Sequence, residues 1–397
     1  MLRREFLKAA AVTSVSVLAA PHLARAQAAP IRLGILTPLT GAGGVDGPRM
    51  IKAMRAVADE VNAAGGVLGR QIELIIEDDQ TNPEAAVRAA KKLVGVDKVP
   101  VIMGTWASAV TSAVAPVCWE SKTCLMTVSG ADSITKLPHL GYVIRTQPNT
   151  TLQGTKHAEF IASTGAKRVS YMAVQTPFAT SMRDHMREVL ASNGVTMVSG
   201  LVYDANKNSY RSEVDQALRD KPDMIYLNSY TPDVTVLLRD LYRANYTGGK
   251  LTQSYAYTSA LAESLPHEVT NGLFVVQPSG DVSSEAYARV AKRLNIAQPD
   301  SYEAQATDWI SLAVLAIAKA GDPNGEAIRD SVRKVSQGNG KQIYSALDGL
   351  AALQKGEEIN YEGASGPCEF DEKGDIITSR FRFSVAENGK INFQKIL

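Results

Sequence analysis

Short apolar runs, each paired with a longer stretch of helical spacing, recur in two successive series along this chain. Residues 31–37 (IRLGILT), 71–77, 99–103, 124–128 and 142–145 read as strands, with helices at 48–63, 83–94 and 107–120. After Thr146-Gln147-Pro148-Asn149 the alternation restarts, with strand-like 168–174, 196–202, 223–228 and 251–255 and helical 151–164, 181–193, 210–219 and 232–244. Strands apolar on both faces and joined by helices form parallel sheets covered on both sides. Two such series predict an α/β protein of two doubly wound lobes. A strand-like run at 272–277 is followed by helical stretches at 284–294, 302–320, 325–335 and 343–355. These are too many for one sheet edge, so most should return over the first lobe. The end reads as short strands at 368–370, 381–383 and 391–393 around glycine-containing turns.

Residues 1–26 have the layout of an address rather than of a fold. Arg3-Arg4-Glu5-Phe6-Leu7-Lys8 precedes an apolar stretch at 9–20, and Ala24-Arg25-Ala26 offers a small-x-small cleavage site. The apolar stretch falls short of the roughly 20 residues a membrane span needs. The twin arginines resemble a twin-arginine export signal, with Leu2 in place of the usual Ser or Thr; an ordinary secretory signal leads to the same compartment. No cysteine sits at the cleavage point, so no lipid anchor is expected, and no later run suggests membrane insertion. Removing this segment takes four basic and one acidic residue and shifts the net charge from +1 to −2. A balance that weak, without a basic run, argues against nucleic acid. An oxidising compartment permits a bridge between Cys118 and Cys124, and two buried thiols are the alternative. Cys368 is then left without a partner.

Catalytic constellations are absent from the sequence. There is no G-x-S-x-G or H-E-x-x-H, and His139, His157, His185 and His267 lack metal-ligand spacing. Asp78-Asp79 alternate faces on a strand and so make a poor acid–base pair. The loop at 41–47 is spaced G-x-G-x-x-x-G and stands four residues beyond its strand, whereas a dinucleotide site needs its first glycine at the strand end. Neither an enzyme nor a resident cofactor or metal is expected. The stretch 101–109 (VIMGTWASA) is more informative. A buried strand passing into a helix start would turn free backbone N–H groups, the Ser108 hydroxyl and the Trp106 ring toward one crevice, a place for a small carboxylate.

Three segments carry a resemblance: Val61-Asn62-Ala63-Ala64-Gly65-Gly66-Val67-Leu68-Gly69-Arg70-Gln71-Ile72-Glu73-Leu74, then Glu77-Asp78-Asp79-Gln80, and Tyr361-Glu362-Gly363-Ala364-Ser365-Gly366-Pro367 with Phe370-Asp371 and Gly374-Asp375. In this order and on these elements the chain, from Ile31 onward, resembles the branched-chain amino-acid (Leu/Ile/Val) binding proteins, periplasmic receptors of ABC importers. The resemblance implies a type I periplasmic-binding fold whose lobes are joined by a three-strand hinge, with crossings near Pro148, Gln277 and Gly363. Lobe 1 would then hold residues 27–148 and 278–362, and lobe 2 residues 149–277 and 363–397. It implies a periplasmic monomer that closes over a small solute and delivers it to an ABC permease and its ATPases. A sensory receptor without a transport role and an exported cofactor-dependent oxidoreductase are the alternatives.

Carried over by position, Trp106 and Ala107 match the ligand wall, Ser108 a carboxylate-binding hydroxyl and Ala131 a backbone contact. Phe178 and Tyr230 match aromatic residues of the second lobe. Two departures bear on the solute. Relatives that bind α-amino acids place an acid near the position of Tyr255, where it pairs with the ammonium, and here Ser254-Tyr255-Ala256-Tyr257 has none. Asp132 and Asp46 stand instead where the pattern has a hydroxyl and an aromatic residue. Either one of these supplies the counter-charge, or the ligand has no amine and is an aromatic or aliphatic acid, an amide or a urea-like solute. Each aspartate also has a bland reading as a cap, Asp132 of the turn at 133–137 and Asp46 of the helix that follows it.

Overall fold

A computed structural model describes residues 28–397. The segment expected to be an export signal lies outside the described residues. The first sheet contains β1 (Ile31–Thr37), β2 (Ile72–Asp78), β3 (Val101–Gly104), β4 (Cys124–Thr127) and β5 (Val143–Arg145), all parallel, in the order β2-β1-β3-β4-β5. Its helices are α1 (Gly47–Ala63), α2 (Pro83–Lys92) and α3 (Ser108–Glu120). β3, β4 and β5 are buried at every position, which is why they read as unbroken apolar runs.

The second sheet repeats the plan with β6 (Arg168–Val174), β7 (Thr196–Tyr203), β8 (Met224–Asn228), β9 (Gly249–Gln253) and β10 (Leu273–Ser279). Helices α4 (Thr150–Ser163), α5 (Pro177–Ser192), α6 (Arg211–Leu218), α7 (Thr231–Arg243), α8 (Ser259–Ser264) and α9 (His267–Thr270) accompany it. The chain then returns to the first lobe with α10 (Glu285–Leu294), α11 (Ser301–Ala320), α12 (Gly325–Ser336) and α13 (Ala346–Gln354). α11 is buried on all sides from Ser301 to Ile317, packs against α1 and α12, and begins with a capping box between Asp300 and Glu303. A small sheet of β11 (Lys341–Ile343), β12 (Ile359–Gly363) and β13 (Gly366–Pro367) follows. The last strands, β14 (Arg380–Glu387) and β15 (Lys390–Ile396), add antiparallel to β10 at one edge of the second sheet.

Several sequence expectations need correction. The stretch 343–355 opens with the end of β11 and becomes helical only at Ala346, because Ser345 caps the helix by accepting from the Asp348 N–H. Residues 368–370 make no strand beyond an isolated bridge at Phe370. The crossing expected near Gly363 lies further on, since Ala364, Cys368, Phe370 and Ile376 are buried in the first core and the second sheet is rejoined only at Arg380. The buried Asp308 carboxylate fixes that turn, accepting from the Tyr361 hydroxyl and from the Ala364 and Ser365 N–H groups, each at 2.8 Å. For Cys118 and Cys124, where the sequence left a bridge or two buried thiols open, the structure has the second: both are buried and unbridged, and Cys124 Sγ donates to the Gly325 carbonyl.

Among the described residues no helix is long and apolar enough to cross a membrane, and no three His, Cys, Asp or Glu side chains gather as metal ligands.

Candidate functional site

In a doubly wound sheet the crevice forms where strand order reverses, at the C-terminal ends of the strands. The first sheet reverses between β1 and β3, and the second between β6 and β8. The loop after β3 carries Trp106, Ala107 and Ser108, while Phe178 follows β6, Tyr230 follows β8 and Tyr255 follows β9. These six side chains border one cavity, together with Val128, Gly130, Gln147 and Tyr302. Its free volume is only about 30 Å³, because the aromatic rings of the two lobes meet within it. The Trp106 ring lies 5.4 Å from that of Tyr230 and 5.6 Å, edge-on, from that of Tyr255.

The strand end is shaped to present these groups. Thr105 is left-handed, with φ 59°, and its N–H donates to the Leu36 carbonyl at 2.6 Å, which swings the chain across the end of β1. A buried hydroxyl layer holds the turn from below. Thr127 Oγ1 donates to the Thr105 carbonyl at 2.7 Å and Ser129 Oγ to the Trp106 carbonyl at 3.0 Å. The glycine-rich loop after β1 serves the same wall, since a Cβ at Gly43 would stand 2.7 Å from the Trp106 ring. The acid that ends β2 ties this loop down, Asp78 accepting from the Leu39 N–H at 2.8 Å and the Thr40 hydroxyl at 2.6 Å. The glycines therefore pack against an indole, and the acidic strand end is spent on the loop itself.

Polar groups are few at the cavity, and each is positioned. Ser108 Oγ accepts from the Ala131 N–H at 3.1 Å, which leaves its own hydrogen free to donate. Gln305 donates to Gln147 Oε1 at 2.7 Å, which turns the other end of that amide, a pair of N–H donors, away from the bond. The indole N–H of Trp106 is buried without a partner. Tyr255 donates to Asn228 Oδ1 at 2.8 Å, and burial pushes its hydroxyl well above the usual tyrosine range. Burial also pushes Tyr230 up to about 12. Both phenols are therefore neutral walls.

Three of the residues proposed from sequence do not line this cavity. Ala131 is fully buried and touches the site only through its N–H on Ser108. The Asp132 carboxylate is occupied with the start of α4, accepting from the Thr151 N–H at 3.2 Å and hydroxyl at 2.8 Å, which hold it below the usual carboxylate range against the cost of burial. It neither reaches the cavity nor caps the turn at 133–137. Asp46 is buried and pairs with Arg49, which also grips Asp300, and it makes no capping bond to α1. Tyr255 is not in a strand, because β9 stops at Gln253; it faces the cavity from a turn while Tyr257 is buried in the second core. Sequence reasoning missed Tyr302. The Asp300-x-x-Glu303 pattern that marks a helix start was the signal available, since it puts Tyr302 in the first turn of α11.

Phe178 from the second lobe closes against Gly130 of the first, where a Cβ would stand 2.5 Å from the phenyl ring. Gly130→Ala is expected to weaken solute binding by about 1–3 kcal/mol through overpacking of this seam. Titration calorimetry of the variant, with its unliganded melting temperature as control, checks this.

A family model described as periplasmic binding protein matches residues 30–390. The chain is 25% identical over 391 residues to the Leu/Ile/Val-binding protein BraC3 of Rhizobium johnstonii, covering 97% of this chain and 98% of that protein. Among solved structures it is similar to the leucine binding protein LivK of Thermotoga maritima, with a TM-score of 0.79, 22% identity and coverage of 92% and 98%. A solute binding protein of an ABC transporter from R. palustris, solved in complex with benzoate, superposes with a TM-score of 0.76 at 17% identity, covering 92% of this chain and 96% of that one.

Proposed function

The chain belongs to the periplasmic binding protein family, and from that premise we propose that it is a periplasmic receptor for a small aromatic or apolar carboxylate without an ammonium group. It captures the solute between its lobes and hands it to an ABC permease. One observation carries the choice of solute: among the described residues five aromatic side chains border the cavity and no carboxylate does. An ammonium buried there without a counter-charge would cost several kcal/mol. Asp132 and Asp46 are occupied by Thr151 and Arg49. A carboxylate, by contrast, meets the hydroxyl of Ser108, the amide of Gln147 and the indole N–H of Trp106. The benzoate complex of the R. palustris protein is in keeping with this class of guest. A guest the size of benzoate exceeds the present space, so the rings of the two lobes must part to admit it and then re-close. Its stronger hold on the closed form drives that motion.

The test is titration of ligand-stripped protein with benzoate, 4-hydroxybenzoate, leucine, isoleucine and valine. Aromatic acids are expected to bind and Ser108→Ala to weaken them by roughly 1.5–3 kcal/mol, the worth of a hydrogen bond to a charged group. Asp132→Asn is expected to leave them unchanged. Tighter binding of leucine than of any aromatic acid, lost in Asp132→Asn, would overturn the reading. Solute uptake that needs both this protein and a permease separates transport from sensing.

A further inference from the structure

Tyr255 and Tyr302 also border a second, larger space, a groove of about 410 Å³ lined from both lobes. The first lobe contributes Asp46, Arg49 and the stretch 297–300 to it, and the second contributes Ser254, Gln277, Arg382 and Ser384. Arg49 is neutralised there by Asp46 and Asp300. Arg382 is not: among the described residues its guanidinium makes no ion pair or hydrogen bond, and it lies 5.4 Å from the centre of the Phe393 ring. Among the described residues no hydrogen bond occupies the Gln277 amide or the Ser254 and Ser384 hydroxyls either.

We propose that this groove is a second anion subsite of the cleft, in which Arg382, aided by Gln277 and Ser254, holds a carboxylate beyond the Tyr255–Tyr302 wall. The inference extends the reading above, in which a first carboxylate is held at Ser108. An unpaired guanidinium offers paired N–H donors matched to a carboxylate. Because the groove draws its walls from both lobes, an anion bound there favours one inter-lobe angle, as the solute itself does. The carboxylate has two possible sources, the far end of an aromatic dicarboxylate that spans both spaces or a separate small acid.

The probes are terephthalate and 4-carboxycinnamate, each against its monomethyl ester, and sodium acetate added to benzoate-saturated protein. At least one dicarboxylate is expected to bind wild type about tenfold or more tightly than its half-ester, with the difference gone in Arg382→Gln. This identifies the far end of one solute as the occupant. If esters and acids bind alike but acetate raises the melting temperature of wild type and not of Arg382→Gln, the occupant is a separate acid. The ester comparison uses wild-type protein and does not depend on how the variant folds. The proposal is overturned if neither effect occurs, or if either persists in Arg382→Gln. Failure of benzoate itself to bind would sink the aromatic-acid reading instead, and acetate on the ligand-free protein then tests the groove alone.

Discussion

Arg145→Met is expected to lower the stability of the protein by about 3–5 kcal/mol, the cost of leaving one half of a buried ion pair alone. Arg145 is completely buried at the end of β5, and its guanidinium lies 2.6 Å from Asp375. The same group donates to the Ala131 carbonyl at 2.7 Å, the Ser129 carbonyl at 3.2 Å and the Thr135 hydroxyl at 3.1 Å. One side chain thus pins both the loop 129–131, whose Gly130 borders the cavity, and the late segment around Asp375 to the same strand. Removing it leaves a buried carboxylate with only Thr135 and Asn149 as donors. The pair as a unit matters less than its halves, because two charges taken out of water repay little beyond their own desolvation. Arg145→Met combined with Asp375→Leu should therefore regain a good part of the loss. Urea unfolding of both single variants and the double variant measures this, and a double variant worse than either single one would contradict it.

The second large effect depends on pH. Asp79 is 1% exposed at the turn after β2, where Oδ1 accepts from the Thr81 N–H at 2.7 Å and Oδ2 has no partner. Burial pushes its carboxyl up to about 7, Asp78 adds to the rise, and the Thr81 N–H only partly opposes it. A carboxyl raised in the folded state favours folding in its protonated form. Its contribution is therefore fully present below the ordinary value of 3.8 and is lost as pH rises through about 7. Asp46, raised to about 7, and Asp308, raised to about 6, act in the same direction. At roughly 1.4 kcal/mol per pH unit, Asp79→Asn should make the protein about 2–4 kcal/mol more stable than wild type at pH 8. Near pH 4 it should give no gain. Urea unfolding at pH 4, 6 and 8 tests the sign, and a variant that is destabilised equally at all three excludes this origin.

The order of elements was legible because parallel strands buried on both faces leave no polar positions to confuse the pattern. β1 and β6 fall on the residues expected from sequence. The return of the later helices was legible as well, since four of them are too many for one sheet edge, and α10–α13 do pack into the core of the first lobe. Trp106 and Ser108 could be placed at the cavity because they lie just beyond a strand end, where a doubly wound fold puts its crevice, whereas Ala107, Phe178, Tyr230 and Tyr255 were placed by the family resemblance. Tyr302 reaches the same cavity from the first turn of α11, and the Asp300-x-x-Glu303 helix start places it in that turn without showing that the turn faces the crevice. The two aspartates misled for a different reason. A carboxylate near a site reads as available until its donors are known, and those donors, Thr151 and Arg49, were not part of the site pattern.

The stretch from Ala364 through β15 is shared between the lobes: Cys368, Phe370 and Ile376 complete the first core, and β14 and β15 finish the second sheet. Neither half can therefore complete its packing on the ribosome until this stretch has emerged. A nascent chain must carry both incomplete halves until then, and a truncation ahead of Cys368 would spoil both at once.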